Sequence, residues 1–125
     1  MPEKNSAILF DLDGTLLNSG LTFHKIVNQL KRELGQEEVP FKEVKKFSSR
    51  GASLILKNCF PDMGSNDLLA IKKSFLENYY EQMLDDICLY EGVSNLINFL
   101  QDKSIAWGIV TNKSQRYTLP IIQKL

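Results

Sequence analysis

Apolar runs and helical periodicities alternate along the chain and predict its secondary structure. A short run, Ala7–Phe10, is bounded by polar residues, and a second run, Ile105–Val110, lies towards the other end. Such runs are typical of strands that are buried on both faces of a sheet. Elsewhere apolar residues recur at steps of three and four, which predicts amphipathic helices. The predicted helices lie within residues 21–34, 41–47, 54–60, 66–85, 93–100 and 117–125.

The order of these elements predicts an α/β fold, because strand–helix–strand units connect the strands of a parallel sheet. Residues 19–85 are purely helical and are predicted to form a separate unit, whereas residues 1–18 and 86–125 form the sheet-bearing core. Two strands make a poor sheet, since three or more are normally needed for independent stability. We therefore expect an incomplete core that lacks its C-terminal strands. Its bare sheet edge is expected to be available for self-association.

Composition and charge exclude several classes of function. Hydrophobic residues make up 43% of the chain and charged residues 24%, as in a globular protein with its own core. The 15 basic and 15 acidic residues cancel, so neither nucleic acid nor an anionic membrane is the expected partner. No apolar run approaches the roughly 20 residues that cross a bilayer, and the N-terminus has no signal-peptide pattern. Together with two isolated cysteines, Cys59 and Cys88, these features predict a cytoplasmic protein.

Two acidic residues follow the first strand directly and carry the candidate chemistry. Asp11 and Asp13 are two positions apart, so an extended backbone projects both side chains to the same side. Open α/β sheets bind their ligands at this carboxyl end of the strands. Two neighbouring carboxylates repel each other unless a cation compensates, and Mg²⁺ accepts oxygen ligands and phosphate together. Gly14 lets the chain turn sharply, and Thr15 adds a hydroxyl and a backbone N–H.

Other interpretations of this acidic segment exist. An EF-hand calcium loop is excluded, because Leu16 and Thr22 stand where that loop needs a glycine and a bidentate glutamate. A merely solvated acidic turn stays an alternative, although it is less favoured for an intact Asp-Leu-Asp-Gly-Thr-Leu segment after a strand. The metal-binding D-x-D pair of a sugar-nucleotide transferase also stays open, but such a pair does not require the following Gly-Thr-Leu.

The segment Asp11–Leu16 resembles the first motif of the haloacid dehalogenase-like phosphatase superfamily. Ile109–Lys113, at the end of the second strand, is similar to its second motif, and the helical unit resembles its cap. Within the superfamily, Leu89–Val93 and Arg116-Tyr117 look most like the phosphoglycolate phosphatase branch. The resemblance covers residues 8–125 and implies a partial Rossmann-like core with an inserted helical cap.

The resemblance also implies an activity, the Mg²⁺-dependent hydrolysis of a small phosphorylated metabolite such as phosphoglycolate. Asp11 would be the nucleophile that forms an aspartyl phosphate, and Asp13 would be the general acid and base. The Asp11 carboxylate and the Asp13 backbone carbonyl would bind Mg²⁺. A solvated side chain stays the alternative for Arg50 and Lys113. The residues expected around the substrate and its phosphate are Gly14, Thr15, Thr111, Asn112, Lys113 and, from the cap, Arg50.

The sequence also departs from the superfamily pattern. Members of the superfamily carry two more motifs after the second, a lysine and, at the end of a later strand, an acidic pair that completes the Mg²⁺ site, and the 125 residues contain neither. We therefore expect the chain by itself to hold Mg²⁺ weakly and to be poorly active or inactive. Besides the N-terminal part of a phosphatase, two alternatives stay open. One is a non-catalytic phosphate-binding or interaction protein, and the other is a phosphosugar mutase.

Overall fold

The computed structural model describes residues 6–125, in which the predicted strands and helices are present. Residues 1–5, part of the predicted core segment 1–18, lie outside the described residues. The α/β prediction is confirmed, and element ends differ from the predicted ones by only a few residues. In chain order the elements are β1 (Ala7–Phe10), α1 (Gly20–Glu33), α2 (Phe41–Lys45), α3 (Ala52–Cys59), α4 (Ser65–Gln82), α5 (Val93–Asp102), β2 (Ala106–Ile109) and α6 (Gln115–Lys124).

The two strands pair in parallel, as the order of elements predicts. Ala7 lies opposite Ala106, and Phe10 lies opposite Ile109. The ladder extends beyond the strands by one bond, in which the Val110 N–H donates to the Phe10 carbonyl at 2.8 Å. Because both strands run in the same direction, the loops that follow β1 and β2 leave the sheet side by side.

The prediction that both strands are buried on both faces is wrong. Ala7, Ile8 and Leu9 of β1 are exposed, Leu9 by 65%, and β2 is at most half-buried. Each strand has a single neighbour in a two-stranded sheet, and the helices of the described chain pack mainly on one another. An apolar run indicates that a strand suits a sheet interior, but its burial depends on the layers that cover it.

Most of the hydrophobic core lies among the helices α1 to α4 and the loop that follows β1, and Val93 of α5 and Ile121 of α6 also belong to it. The Phe23 ring of α1 contacts two aromatic rings of α4, with centroids 5.7 Å from Phe75 and 5.0 Å from Tyr79. Fully burying an apolar side chain of this size contributes about 1.5–3 kcal/mol. Within residues 6–125 no helix is both long and apolar enough to span a bilayer. Other fully buried residues are Leu12, Ile26, Val27, Val44, Ile55, Leu56, Phe60 and Ile121.

Gly14 brings the loop after β1 against the turn 48–51 of the helical unit. Its φ is +80°, a conformation that glycine adopts without the strain of a side chain. A Cβ at this position would lie 3.5 Å from Ser48 Oγ and 3.6 Å from Ser49 Cβ. The turn between α2 and α3 therefore packs next to the acidic loop of the core.

Candidate active site

A cavity of about 260 Å³ opens between the loops at the carboxyl ends of the strands and the helical unit. The core lines it with Asp13 from the loop after β1 and with Thr111, Asn112 and Lys113 from the loop after β2. These four predicted site residues thus converge, although 100 positions separate Asp13 from Lys113. The helical unit lines the cavity with residues that include Phe23, Ser48, Ser49, Lys72, Phe75 and Tyr79.

Lys113 and Asp13 form a buried ion pair on the floor of this cavity. The Lys113 ammonium lies 2.8 Å from an Asp13 carboxylate oxygen, and the two side chains are only 8% and 11% exposed. The same ammonium donates to the Tyr79 hydroxyl of α4. It also lies 4.4 Å from the Tyr79 ring centroid and 5.4 Å from that of Phe23, where the negative ring faces attract a cation. Lys113 therefore joins the core acid to the helical unit.

Burial governs the ionisation of the groups around this ion pair. It lowers the pKa of Lys113, while the charge of Asp13 and its hydrogen bond act in the opposite direction. Burial also raises the pKa of the Tyr79 phenol far above its usual value, and the charge of Asp13 adds to this effect. Tyr79 is therefore a neutral hydroxyl at any physiological pH, available as an acceptor for Lys113.

The loop after β2 is held by its own side chains. The Thr111 hydroxyl accepts a hydrogen bond from the Lys113 N–H at 3.1 Å. The buried Thr118 of α6 donates its hydroxyl to the Lys113 carbonyl at 3.3 Å. These bonds fix the backbone on both sides of Asn112, so the polar groups of the loop are presented to the cavity by a constrained turn.

Asp11 is in a different environment from Asp13. It follows β1 directly and is exposed, and its carboxylate accepts a hydrogen bond from the Leu12 N–H at 2.8 Å. It does not line the cavity as Asp13 does. The strand register nevertheless places it beside the loop that carries Thr111, since Phe10 pairs with Ile109. Asp13 is thus buried with its charge compensated by Lys113, whereas Asp11 is open to solvent.

Three further predicted residues lie outside the cavity lining. Gly14 and Thr15 are exposed in the acidic loop, where the Thr15 N–H donates to the Leu12 carbonyl at 3.2 Å. Arg50 is exposed as well, although its neighbours Ser49 and Gly51 line the cavity. The turn predicted to approach the site does so, but its arginine side chain is not part of the cavity wall.

The sequence analysis missed two polar cavity residues of α4, Lys72 and Tyr79. In the sequence both fall within the predicted helix of residues 66–85, and no motif singles them out. The signal that could have found them is helical spacing. Lys72, Leu76 and Tyr79 are separated by four and three residues, so they share one face of α4, and all three line the cavity.

The oxygen donors of the acidic loop are suited to a hard cation such as Mg²⁺. The carboxylate of Asp13 is engaged by Lys113, whereas its backbone carbonyl accepts none of the backbone hydrogen bonds outside the regular elements of residues 6–125. The exposed Asp11 carboxylate is the available anionic donor. No cluster of three or more Asp, Glu, His or Cys side chains with metal-binding geometry occurs in the described part of the chain. The donors present therefore fit part of a Mg²⁺ shell.

Curated relatives resemble nearly all of this chain. N-acetylmuramic acid 6-phosphate phosphatase of Pseudomonas putida is 32% identical over 120 residues, which is 95% of this chain and 54% of that protein. Phosphoglycolate phosphatase of Nitrosospira multiformis is 30% identical over an alignment that covers 98% of this chain and 56% of that protein. The chain thus spans about half the length of the curated relatives it matches.

Solved structures and a family model lead to the same family. A crystal structure described as a predicted phosphoglycolate phosphatase from Haemophilus somnus has a TM-score of 0.80 at 22% identity, covering 94% of this chain and 56% of that chain. This likeness confirms the expected partial Rossmann-like core with its inserted helices. The model of the family described as haloacid dehalogenase-like hydrolase matches residues 8–125. The motif resemblance is therefore confirmed, and the chain belongs to the haloacid dehalogenase-like hydrolase family.

Proposed function

We propose that the protein is a Mg²⁺-dependent phosphatase that hydrolyses a small phosphorylated metabolite through an aspartyl phosphate on Asp11. The observation that carries this proposal is the convergence of Asp13, Thr111, Asn112 and Lys113 on one cavity at the carboxyl ends of the strands. Asp11 leaves the same sheet one residue after the paired Phe10. Phosphoryl transfer depends above all on positioning and on neutralising the phosphoryl oxygens, and this arrangement supplies groups for both tasks.

In the first step an Asp11 carboxylate oxygen attacks phosphorus, and the bond between phosphorus and the ester oxygen breaks. The incoming phosphate draws Lys113 away from Asp13, a proton from solvent replaces it on the Asp13 carboxylate, and Asp13 passes this proton to the departing alkoxide. In the second step Asp13 takes a proton from water, whose oxygen attacks phosphorus and releases Asp11 with inorganic phosphate. Mg²⁺, held by the Asp11 carboxylate and the Asp13 carbonyl, would neutralise negative charge on the phosphoryl group.

The proposed phosphate-binding groups are those of the loop after β2. The Thr111 hydroxyl and the Asn112 backbone bind phosphoryl oxygens, with Gly14 and Thr15 completing the cradle from the acidic loop. Lys113 pairs with Asp13 before substrate enters. An incoming phosphate dianion competes for the same ammonium, so Lys113 can exchange one oxygen partner for another. Arg50, on the neighbouring turn, would contact the part of the substrate that extends out of the cavity.

The names of the relatives support a small acidic substrate. The Nitrosospira and Pseudomonas relatives are named for phosphoglycolate and for N-acetylmuramic acid 6-phosphate. Both compounds combine a phosphate monoester with a carboxylic acid. A cavity of about 260 Å³ has room for the smaller of them, and we therefore propose a phosphoglycolate-like substrate. We further propose that residues 19–85 act as a cap domain on the core formed by residues 1–18 and 86–125.

Assays of the natural full-length protein test this function. With Mg²⁺ present, we expect release of inorganic phosphate from phosphoglycolate within a panel of phosphomonoesters, and loss of this release after chelation. Mass spectrometry of a rapidly quenched reaction should find the phosphoryl group on the peptide that contains Asp11. Asp11→Asn should abolish both signals, because its amide is not a nucleophile. Inertness of the wild-type protein towards the whole panel would refute the phosphatase proposal.

Two further proposals concern the cellular location of the protein and its self-association. The free thiols of Cys59 and Cys88 support a cytoplasmic location, where thiols stay reduced. The exposed apolar side chains of the sheet, Leu9 and Val110 among them, support self-association through this face.

A further inference from the structure

Lys72 is a cationic side chain of the cavity wall that the proposed chemistry leaves unused. It lies on α4, is half-buried, and lines the same cavity as Asp13, Thr111 and Asn112. It also borders a cleft next to α3, so it stands at the edge of the cavity and not on its floor. The phosphate-binding loop belongs to the core, whereas Lys72 belongs to the helical unit. A substrate held by that loop would meet Lys72 with the part that is not phosphate.

The helix geometry singles out Lys72 from its neighbour Lys73. Lys72 shares a helix face with Leu76 and Tyr79, both of which line the cavity. Lys73 is one position further on, which is about 100° around the helix, and it is exposed and does not line the cavity. The two lysines have the same charge on the same helix, yet only one faces the proposed substrate.

The charges of the cavity are balanced except at Lys72. The charge of Lys113 is compensated by Asp13 at 2.8 Å. Within residues 6–125 Lys72 forms neither an ion pair nor a side-chain hydrogen bond; the lysines that do form ion pairs there are Lys25, Lys46 and Lys113. A half-buried ammonium without a counter-charge attracts an anion strongly, because solvent screens it less than a surface charge. The wall that faces the phosphate loop therefore has one uncompensated positive charge.

We propose that Lys72 binds a carboxylate of the substrate and thereby makes the enzyme prefer phosphorylated carboxylic acids to neutral phosphate esters. This inference rests on the proposed phosphatase function. A carboxylate fits better than a second phosphate, because one ammonium balances its single negative charge, whereas a phosphate dianion would leave excess charge in a half-buried site. Ser49 also lines the cavity and has a hydroxyl that can donate to the second carboxylate oxygen.

The test compares two substrates that differ only at the proposed contact, phosphoglycolate and ethyl phosphate, which has a methyl group in place of the carboxylate. For the full-length protein we expect kcat/KM to be higher for phosphoglycolate. Lys72→Met should lower kcat/KM for phosphoglycolate roughly tenfold or more, mainly through KM, because a charge-assisted hydrogen bond is lost. Its kcat/KM for ethyl phosphate should change less than about twofold. Lys72→Arg should keep the preference for phosphoglycolate, because it keeps the positive charge. The matched control Lys73→Met should leave kcat/KM unchanged for both substrates.

A binding measurement separates failure of this inference from failure of the proposed function. Calorimetry of phosphoglycolate and of ethyl phosphate with the Asp11→Asn variant needs no turnover. If the double variant with Lys72→Met binds phosphoglycolate more weakly but binds ethyl phosphate as before, the inference is supported even if no ester is hydrolysed. If Lys72→Met weakens the binding of both ligands equally, or the binding of neither, the inference is overturned. Thermal unfolding checks that each variant is folded, and Lys72→Gln serves as a second neutral variant if Lys72→Met is not.

Discussion

At the scale of single residues, the ion pair of Lys113 and Asp13 is the most deeply buried ion pair within residues 6–125. Removing two charges from water is costly, and the pair recovers that cost only through good geometry and further hydrogen bonds. Lys113 has both, since it reaches Asp13 at 2.8 Å and donates to the Tyr79 hydroxyl. Removing one partner would leave the other charge buried and uncompensated, so the members of the pair are not individually replaceable.

Replacing Lys113 by methionine should destabilise the protein strongly. The substitution keeps the length of the side chain but leaves the Asp13 carboxylate buried without a counter-charge. We expect the free energy of unfolding to fall by roughly 3–5 kcal/mol, as measured by urea denaturation near neutral pH. Lys103→Met, at an exposed lysine in the turn after α5, is the control and should change little. A Lys113→Met variant as stable as the wild type would show that the pair contributes nothing.

The two cysteines should differ in their reactivity towards alkylating reagents. Burial raises the pKa of the Cys59 thiol to about 11, and Cys88 is only half-buried. Because its side chain is the more accessible of the two, Cys88 should be modified by iodoacetamide at about pH 8, whereas Cys59 should be spared until the protein unfolds. Modification of both at the same rate would contradict this.

The same shift predicts a loss of stability in alkali. Because the folded pKa of Cys59 lies above the ordinary value of 9.0, folding favours the protonated thiol. Its contribution is fully present below about pH 9 and is lost as the pH rises towards 11. Cys59→Ala should therefore show a smaller fall in unfolding free energy than the wild type over this range.

At the scale of elements, polar side chains fix the path of the chain between α1 and α2. The Asn28 amide oxygen accepts from the Val39 N–H at 2.8 Å, and its nitrogen donates to the Val39 carbonyl at 3.1 Å. The His24 ring contacts the same carbonyl at 2.8 Å. The Asn28 side chain thus bonds to both backbone groups of Val39 and holds the segment before α2 against α1.

Asn28→Ala should cost about 2 kcal/mol of unfolding free energy, because it leaves the Val39 N–H without its partner in a partly buried place. Denaturation by urea measures the effect. Asn95→Ala is the matched control, since Asn95 is exposed on α5 and should have an effect within about 0.5 kcal/mol. If both variants lose the same stability, the bonds to Val39 are not responsible.

Element ends were predictable where backbone chemistry is local. Gly35 directly follows the helical pattern of residues 21–34, and it has a φ of +69° just beyond α1. Pro40 directly precedes the pattern of residues 41–47, and it directly precedes α2. The long helix α4 ends at Gln82, earlier than its apolar pattern predicts. The pattern continues because Met83 is buried in the core, although it no longer belongs to the regular helix.

At the scale of the whole molecule, the sheet leaves large apolar side chains open to solvent. Leu9 is 65% exposed and Val110 is 60% exposed. A further cavity of about 310 Å³ on the core is lined mostly by apolar groups, among them Trp107, Ile122 and Leu125. Exposed apolar surface of this kind favours association with another surface.

The 125-residue chain should therefore associate with itself in a concentration-dependent manner. Leu9→Glu places a charge on the exposed strand and should shift the sedimentation velocity profile towards monomer. Leu69→Glu is the matched control, because Leu69 is 66% exposed on α4 and does not lie on the sheet. A wild-type chain that stays monomeric at all concentrations, or equal effects of the two variants, would contradict the proposed role of the sheet face.

The types and order of the elements, and the residues that carry the family motifs, were determined by the sequence alone. They depend on periodicity, turn chemistry and short segments, which are local properties of the chain. The pairing of Asp13 with Lys113, the contact of Tyr79 with that pair and the position of Lys72 in the cavity wall were decided only by the tertiary structure. Each of these joins residues far apart in the chain, and their proximity depends on how helices pack. The exposure of the strands is likewise a property of the surrounding layers, which no apolar run can specify by itself.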